Sequence, residues 1–437
     1  MNSSSLRGWI LFAALMRKCE KLLLAAFAVV FVLPVCAQNG TLSPYSRFGI
    51  GQLGEQSTGI SKAMGGVGIG LRQKNIINTL NPASYSTVDT LTFLFDMGIS
   101  LTNSNFDENG IKQNERNSSF DYVAMQFRLG RKLGFTASML PLSNVGYNFS
   151  ETATVRSDQD GDVTTISTYG GEGGIRQISI GLGWAPYGWL SVGADAGYLF
   201  GDVTHLVSNK YSESTVFTRN RSYYAQVRGF RYNLGLQTTF RAVGGEMTFG
   251  LVYTPAVTTY GESYVLNQLL SGSGTREELS DTTMMKNDFR IPDRIGAGLT
   301  YSREKWTAGF DVTYERWSDG RAFDEAGEDR LKLSLGGMFT PEKNDRHLFR
   351  RSSYRAGLFY NQPYFNVGAD KGPLEIGASV GVSMPIANRW NNLIAINVSG
   401  QYVYEKPSVS GMISETYLRL NLGISFNERW FMKWRVE

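Results

Sequence analysis

Few residues in this chain could do chemistry, and their spacing limits which kind. Its 2 histidines, His205 and His347, lie far apart near predicted strand ends or loops. Neither has the carboxylate or thiolate neighbours at the spacing a metal site needs. A serine nucleophile would have to draw on His205, and no serine is singled out beside it. The other candidate is "GGVGIG", residues 65–70, where clustered glycines could cradle a phosphate. No Gly-Lys-Ser/Thr follows, and neither a buried strand before nor a helix after completes a dinucleotide motif. The chain is therefore not read as an enzyme, and neither cofactor nor metal is expected. These glycines suit an extended chain that turns in a confined space, at φ values other residues avoid.

The remaining polar candidates stand on segments that alternate with period two. "YVAMQFRLG" sets Val123, Met125, Phe127 and Leu129 against Ala124, Gln126 and Arg128. "LEIGASVGVSM" and "YLRLNLGISF" repeat the pattern, with Leu374, Ile376 and Val380 opposite Glu375, and Leu418, Leu420 and Leu422 opposite Arg419. Such alternation argues strands with one apolar and one polar face. The polar faces carry Arg128, Asp311, Glu315, Lys332, Glu375 and Arg419 among many glycines and serines. Charges on that face argue against a soluble sandwich and for a barrel in lipid, apolar outward and polar inward. The six charges are expected to pair with one another or with a plug, because an unpaired buried charge costs several kcal/mol. Tyr187, Trp189, Trp306, Trp317, Trp390, Trp430 and Trp434, near strand ends, suit interfacial belts.

Composition agrees. The 437 residues hold 43 Lys+Arg and 39 Asp+Glu, near balance and with no basic block, so nucleic acid is not an expected partner. The 49 glycines, 25 phenylalanines and 22 tyrosines beside only 12 prolines suit a large all-β protein. Residues 1–37 read as a signal peptide: Arg17, Lys18 and Lys21, then "LLLAAFAVVFVLP", then "VCAQ" with cleavage after Ala37. Met16 would make a tidier start, so residues 1–15 can be an over-extended beginning. Both cysteines, Cys19 and Cys36, fall in that leader. Residues 38–89 lack alternation and are rich in Gly, Ser and Asn, and residues 90–437 supply about fourteen antiparallel strands. The fold expected is all-β: a transmembrane barrel with an N-terminal lumenal hatch. A phase change within 222–241 suggests a bulge or kink at Gly229. Val265, Leu266, Leu269 and Leu270, in a long loop, offer an apolar landing site for ligand.

At "TGISKAMGGVGIG…NPASYS" the chain resembles the FadL/TodX family of outer-membrane hydrophobic-compound channels, in the form found in Bacteroidetes. The matching positions are Gly59, Ala63, Gly66 and Gly68, then Asn81, Pro82 and Ala83, and Gly65 belongs to the same hatch stretch. "SPYSRFGIG" and the run through Pro292, Trp317 and Ser318 add to the resemblance. It implies a hatch-plugged barrel of 14 strands in the bacterial outer membrane, surrounded by lipid. It departs from the family at Arg72, Gln73 and Lys74, where acidic residues are common. The resemblance implies passive uptake of small hydrophobic molecules, with a ligand or detergent in the lumen and sideways exit at a bulge. The alternative is a non-transporting accessory barrel of a larger outer-membrane assembly or secretion complex, whose partners are other outer-membrane proteins.

Overall fold

The period-two segments form one closed antiparallel barrel. Its strands are β1 (Thr92–Glu108), β2 (Ile111–Gly130), β3 (Leu133–Ser157), β4 (Gly161–Tyr187), β5 (Leu190–Tyr211), β6 (Thr218–Ala242) and β7 (Gly245–Thr254). They continue as β8 (Arg294–Arg303), β9 (Trp306–Glu315), β10 (Arg330–Phe339), β11 (Ser353–Asn361), β12 (Leu374–Ile386), β13 (Leu393–Lys406) and β14 (Ser414–Arg429). Each pairs with the next, and β14 closes on β1 from Thr92↔Arg429 to Asp107↔Ser414. This is a computed structural model that describes residues 40–157, 161–212, 216–271, 277–285, 289–322, 325–342, 345–386 and 393–429. The expected leader (1–37) and Trp390, Trp430 and Trp434 lie outside those residues.

The faces are inverted relative to a soluble protein. Ile99, Ile180, Leu234, Phe310, Leu358 and Leu418 are exposed, whereas Asp96, Ser179, Gln237, Asp311, Asn397 and Gln401 are buried. A wall with its grease outside is stable only in hydrocarbon, which requires every backbone polar group to be paired within the barrel. Two-residue turns join β2–β3, β4–β5, β6–β7 and β8–β9 at one end; Val243 and Gly244 (φ +52° and +74°) show the primed-turn geometry such hairpins need. The two longest connections, 255–293 and 316–329, lie at the other end, which is therefore the cell-surface side. Trp184, Tyr187, Trp189 and Trp306 are exposed near the short-turn rim, at headgroup depth. Trp317 departs from the expected belt: it is buried in an apolar cap with Ile291, Phe289 and Tyr364 from the outer connections.

That cap explains the phase change in β6. The ladder between β5 and β6 runs through Leu199↔Gly229 without a register shift, so Gly229 is no bulge. The inward residues change chemistry instead: Ala225 and Val227 belong to the cap, while Arg231 and Asn233 face the polar lumen. Gly229 is small because Thr259 passes across it, 3.3 Å from where a Cβ would stand. The expected landing loop is also something else. Ser263–Leu270 is a strand paired along β6, with Val265 buried and Leu266, Leu269 and Leu270 half-buried.

Residues 40–91 run inside the barrel, and the wall is shaped to receive them. Gly134, Gly183, Gly193 and Gly235 lie directly opposite one another across β3–β6. Gly250 pairs with Gly298, and Gly309, Gly336 and Gly357 form a third row. The hatch backbone is seated on these rows: Met64 and Gly65 on the third, Ile69 and Gly70 on the second, Pro82 and Tyr85 on the first. A Cβ at Gly193 would stand 2.3 Å from the Pro82 carbonyl oxygen, and one at Gly357 2.2 Å from the Gly65 nitrogen. Hence Gly193→Leu should cost about 1–3 kcal/mol by overpacking and expel the hatch while the barrel closes. Protease treatment in detergent should then cut residues 40–91, whereas Gly400→Ala, where nothing lies within 4 Å, should leave them protected. Equal protection in both variants would refute the seating.

Candidate functional site: the plugged lumen

Local sequence gives the hatch its turns. Gly59–Lys62 is one helical turn, and Gly65 and Gly66 reverse the chain at φ +68° and +88°. Asn81 caps the short 3-10 helix Pro82–Thr87 by accepting from the Ala83 N–H at 3.0 Å, with proline at the first helical position. Asn81 has no solvent exposure, and its amide donates to Ile69 O at 2.8 Å and to Leu236 O of the wall at 3.2 Å. Gly59, Ala63, Gly65, Gly66, Gly68, Asn81, Pro82 and Ala83 thus meet in one plug, against the barrel wall.

The six lumenal charges are distributed, and among the described residues none forms an ion pair with another of the six. Asp311 Oδ2 accepts from the Gly68 and Ile69 N–H groups at 2.7 and 2.8 Å, holding the glycine turn to β9. Arg128 donates to the carbonyls of Val88 and Gly130, at the exit of the hatch toward β1. Glu315 pairs with Arg330 at 3.1 Å and accepts from the Trp317 indole at 2.8 Å, tying the lumen to the cap. Glu375 accepts from the Tyr417 hydroxyl at 3.0 Å, and Arg419 donates to Thr102 at 3.3 Å. Lys332 lies over the Phe359 ring and beside Gly66.

Spacing gave no sign of the strongest tie, the buried pair Lys62–Asp121 at 2.6 Å. Asp121 is the extra residue of a bulge in β2, which turns both it and Tyr122 inward. The Tyr122 hydroxyl accepts from the Gly59 N–H at 2.8 Å and donates to Asp96 at 3.1 Å. Of the basic run at 72–74, Arg72 donates to Ser191, and burial lowers its guanidinium from the ordinary value. Lys74 makes an exposed pair with Asp89 at 3.1 Å.

The bulges mark a fork in the wall. β2 and β3 pair with each other only as far outward as Val123↔Met139; above it β2 follows β1 and β3 follows β4. β3 also bulges there, between Pro141 and Ser143. The hatch fills this opening. Gln52 and Leu53 pair with Asn144 and Ser143, Gly54 N–H donates to Leu142 O at 2.9 Å, and the Ser46 hydroxyl bonds to the Gly146 backbone. The wall is therefore interrupted between β2 and β3, not at Gly229, and the chain's own beginning covers the interruption.

Two cavities flank the hatch, with no lining residue in common. One of 180 Å³ lies between hatch and cap, lined by Arg231, Asp311, Glu315, Lys332, Glu375 and Arg419 among others. The other, 1020 Å³, is a cup on the periplasmic side bordered by Ile77, Leu94, Asp96, Met338 and Arg355. Asp311→Ala would leave two buried N–H groups without an acceptor, at about 1–3 kcal/mol each. Lys62→Met would strand a buried carboxylate, at about 3–5 kcal/mol. Both variants should speed hydrogen exchange over residues 59–70 while β12–β14 stay protected; unchanged exchange would mean that packing alone holds the plug.

The fold is that of known outer-membrane channels. The Pseudomonas putida toluene transporter TodX superposes with a TM-score of 0.60 at 16% identity, over 87% of this chain and 100% of that one. The Ralstonia pickettii toluene transporter TbuX gives 0.57 at 14% identity, over 86% and 99%. A Pseudomonas aeruginosa FadL homologue gives 0.56 at 12% identity, over 88% and 100%. At such identities the likeness establishes the fold alone; the apolar outer wall, with the family below, places the barrel in the bacterial outer membrane. No curated protein matches the sequence. The pattern of one family does match, along residues 19–437: this FadL-like barrel belongs to the BamG family.

Proposed function

We propose that this barrel is a non-transporting accessory subunit of the BAM outer-membrane complex, which inserts other barrels. The observation that carries this reading is the state of the lumen. A path for a small apolar molecule needs a largely apolar pocket, of the order of 300–1,000 Å³ for most ligand sites. The space between hatch and cap is 180 Å³, and its lining mixes apolar side chains such as Leu142 and Phe359 with charged ones, among them Arg231, Asp311, Glu315 and Arg419. An apolar solute there would displace water from those charges without replacing their hydrogen bonds. The two routes out are also occupied: the cap closes the outer mouth, and residues 46–54 bond along the open edge of β3. Membership of the BamG family supports the same reading. In it the hatch is a permanent core for the barrel, and the outer surface does the work of holding partners.

Two measurements test it. Gentle solubilisation should yield this barrel in stoichiometric complex with the central BAM barrel, and depletion should lower the amounts of other outer-membrane barrels. Vesicles containing the purified protein should take up toluene no faster than empty ones. An isolated barrel that accelerates uptake would restore the channel function of its structural relatives and end this proposal.

A further inference from the structure

The wall has very unequal heights. β3–β6 contain 25, 27, 22 and 25 residues, whereas β7–β11 on the far side contain 10, 10, 10, 10 and 9. Tight turns keep the periplasmic ends of β3–β8 level, so the surplus stands on the cell-surface side, roughly 40–55 Å of strand at about 3.3 Å per residue. The connection between β7 and β8 widens this sheet. Ser263–Leu270 pairs with β6 from Thr218 to Ala225, and Glu277–Met285 pairs with Ser263–Leu270.

Glu277–Met285 is where the sheet stops. Among the described residues it has a ladder on one side only. Residues 279–284 are exposed on both faces, with Leu279 at 60% and Met284 at 66%. Natural sheets blunt such an edge with lysine, proline, a bulge or a covering element. This strand, "EELSDTTMM", contains no lysine and no proline, and its register with the neighbouring strand shifts only near the end, at Leu269/Leu270. It carries Glu277, Glu278 and Asp281 and no cation. Its charge is of one sign only, so an acidic, apolar-tipped edge that extends a membrane barrel's own sheet suits strand addition by a basic segment.

We propose that Glu277–Met285 is a docking edge on which a basic, extended segment of another outer-membrane protein adds as the next strand. This rests on the subunit reading and names where that subunit is held. Main-chain hydrogen bonds supply the affinity, Leu279 and Met284 bury against the partner's side chains, and the exposed Asp281 carboxylate favours lysine or arginine opposite. A photo-reactive side chain placed singly at Ser280, Thr282 or Met284 of the full-length protein, in its native membrane, tests this. Illumination should join all three positions to one partner, at residues spaced two apart in a basic stretch. Leu279→Lys with Met284→Lys should reduce the yield at Thr282 at least tenfold while the barrel keeps its heat-dependent gel mobility.

An intact complex with no crosslink from these positions overturns the docking edge and leaves the subunit reading standing. Crosslinks scattered without the two-residue spacing overturn strand addition, as do crosslinks to a second copy of this chain. A barrel that purifies alone and gives no crosslink overturns both proposals.

Discussion

Contact between two backbones with no side chain between them is the constraint on which this molecule depends. The hatch lies against rows of glycines that face one another across neighbouring strands, from Gly134 in β3 to Gly357 in β11. A strand wall normally holds its interior contents at side-chain distance. Removing the Cβ at one level lets the plug sit closer, where the Asp311 carboxylate and the Gln237 amide reach its N–H and carbonyl groups directly. Each glycine weakens its strand somewhat. Closure of the barrel and the hydrogen bonds of the plug offset that loss.

Above and below this level the interior is layered. An apolar cap built around Trp317, Ile291 and Tyr364 closes the outer mouth, a charged pocket lies beneath it, then the hatch, then a cup toward the periplasm. Side-chain chemistry along a single strand follows these layers: β6 presents Ala225 and Val227 to the cap, Arg231 to the charged pocket, and Gly235 to the hatch. The lumen is thus a folded interior with its own apolar and polar strata.

The wall's irregularities have a common cause. Where β2 and β3 each carry an extra residue, they part, and the freed edge of β3 takes up the segment around Gln52 and Leu53. The long strands β3–β6 stand beyond that fork, and their sheet continues into the acidic hairpin of the β7–β8 connection. One edge of this tall sheet is satisfied in part by the chain's own beginning. The other, Glu277–Met285, faces solvent.

Much of this was legible in the residues themselves. Period-two alternation sets which side chains face lipid, because successive Cβ atoms of a strand point to opposite faces whatever the fold around them. Barrel class and an approximate strand number follow from that pattern and from composition, and the plug at "GGVGIG…NPASYS" from its glycines together with the resemblance to the FadL/TodX family. What sequence could not reveal is everything that depends on which strands stand side by side. The glycines of nine strands become a seat only once register aligns them. The Lys62–Asp121 pair joins residues of two elements through a bulge that alternation cannot signal. Gly229 and Trp317 were misjudged for one reason: a lipid-facing position and a cap-facing position are both apolar, and only the closed barrel tells the outside of the wall from the inside.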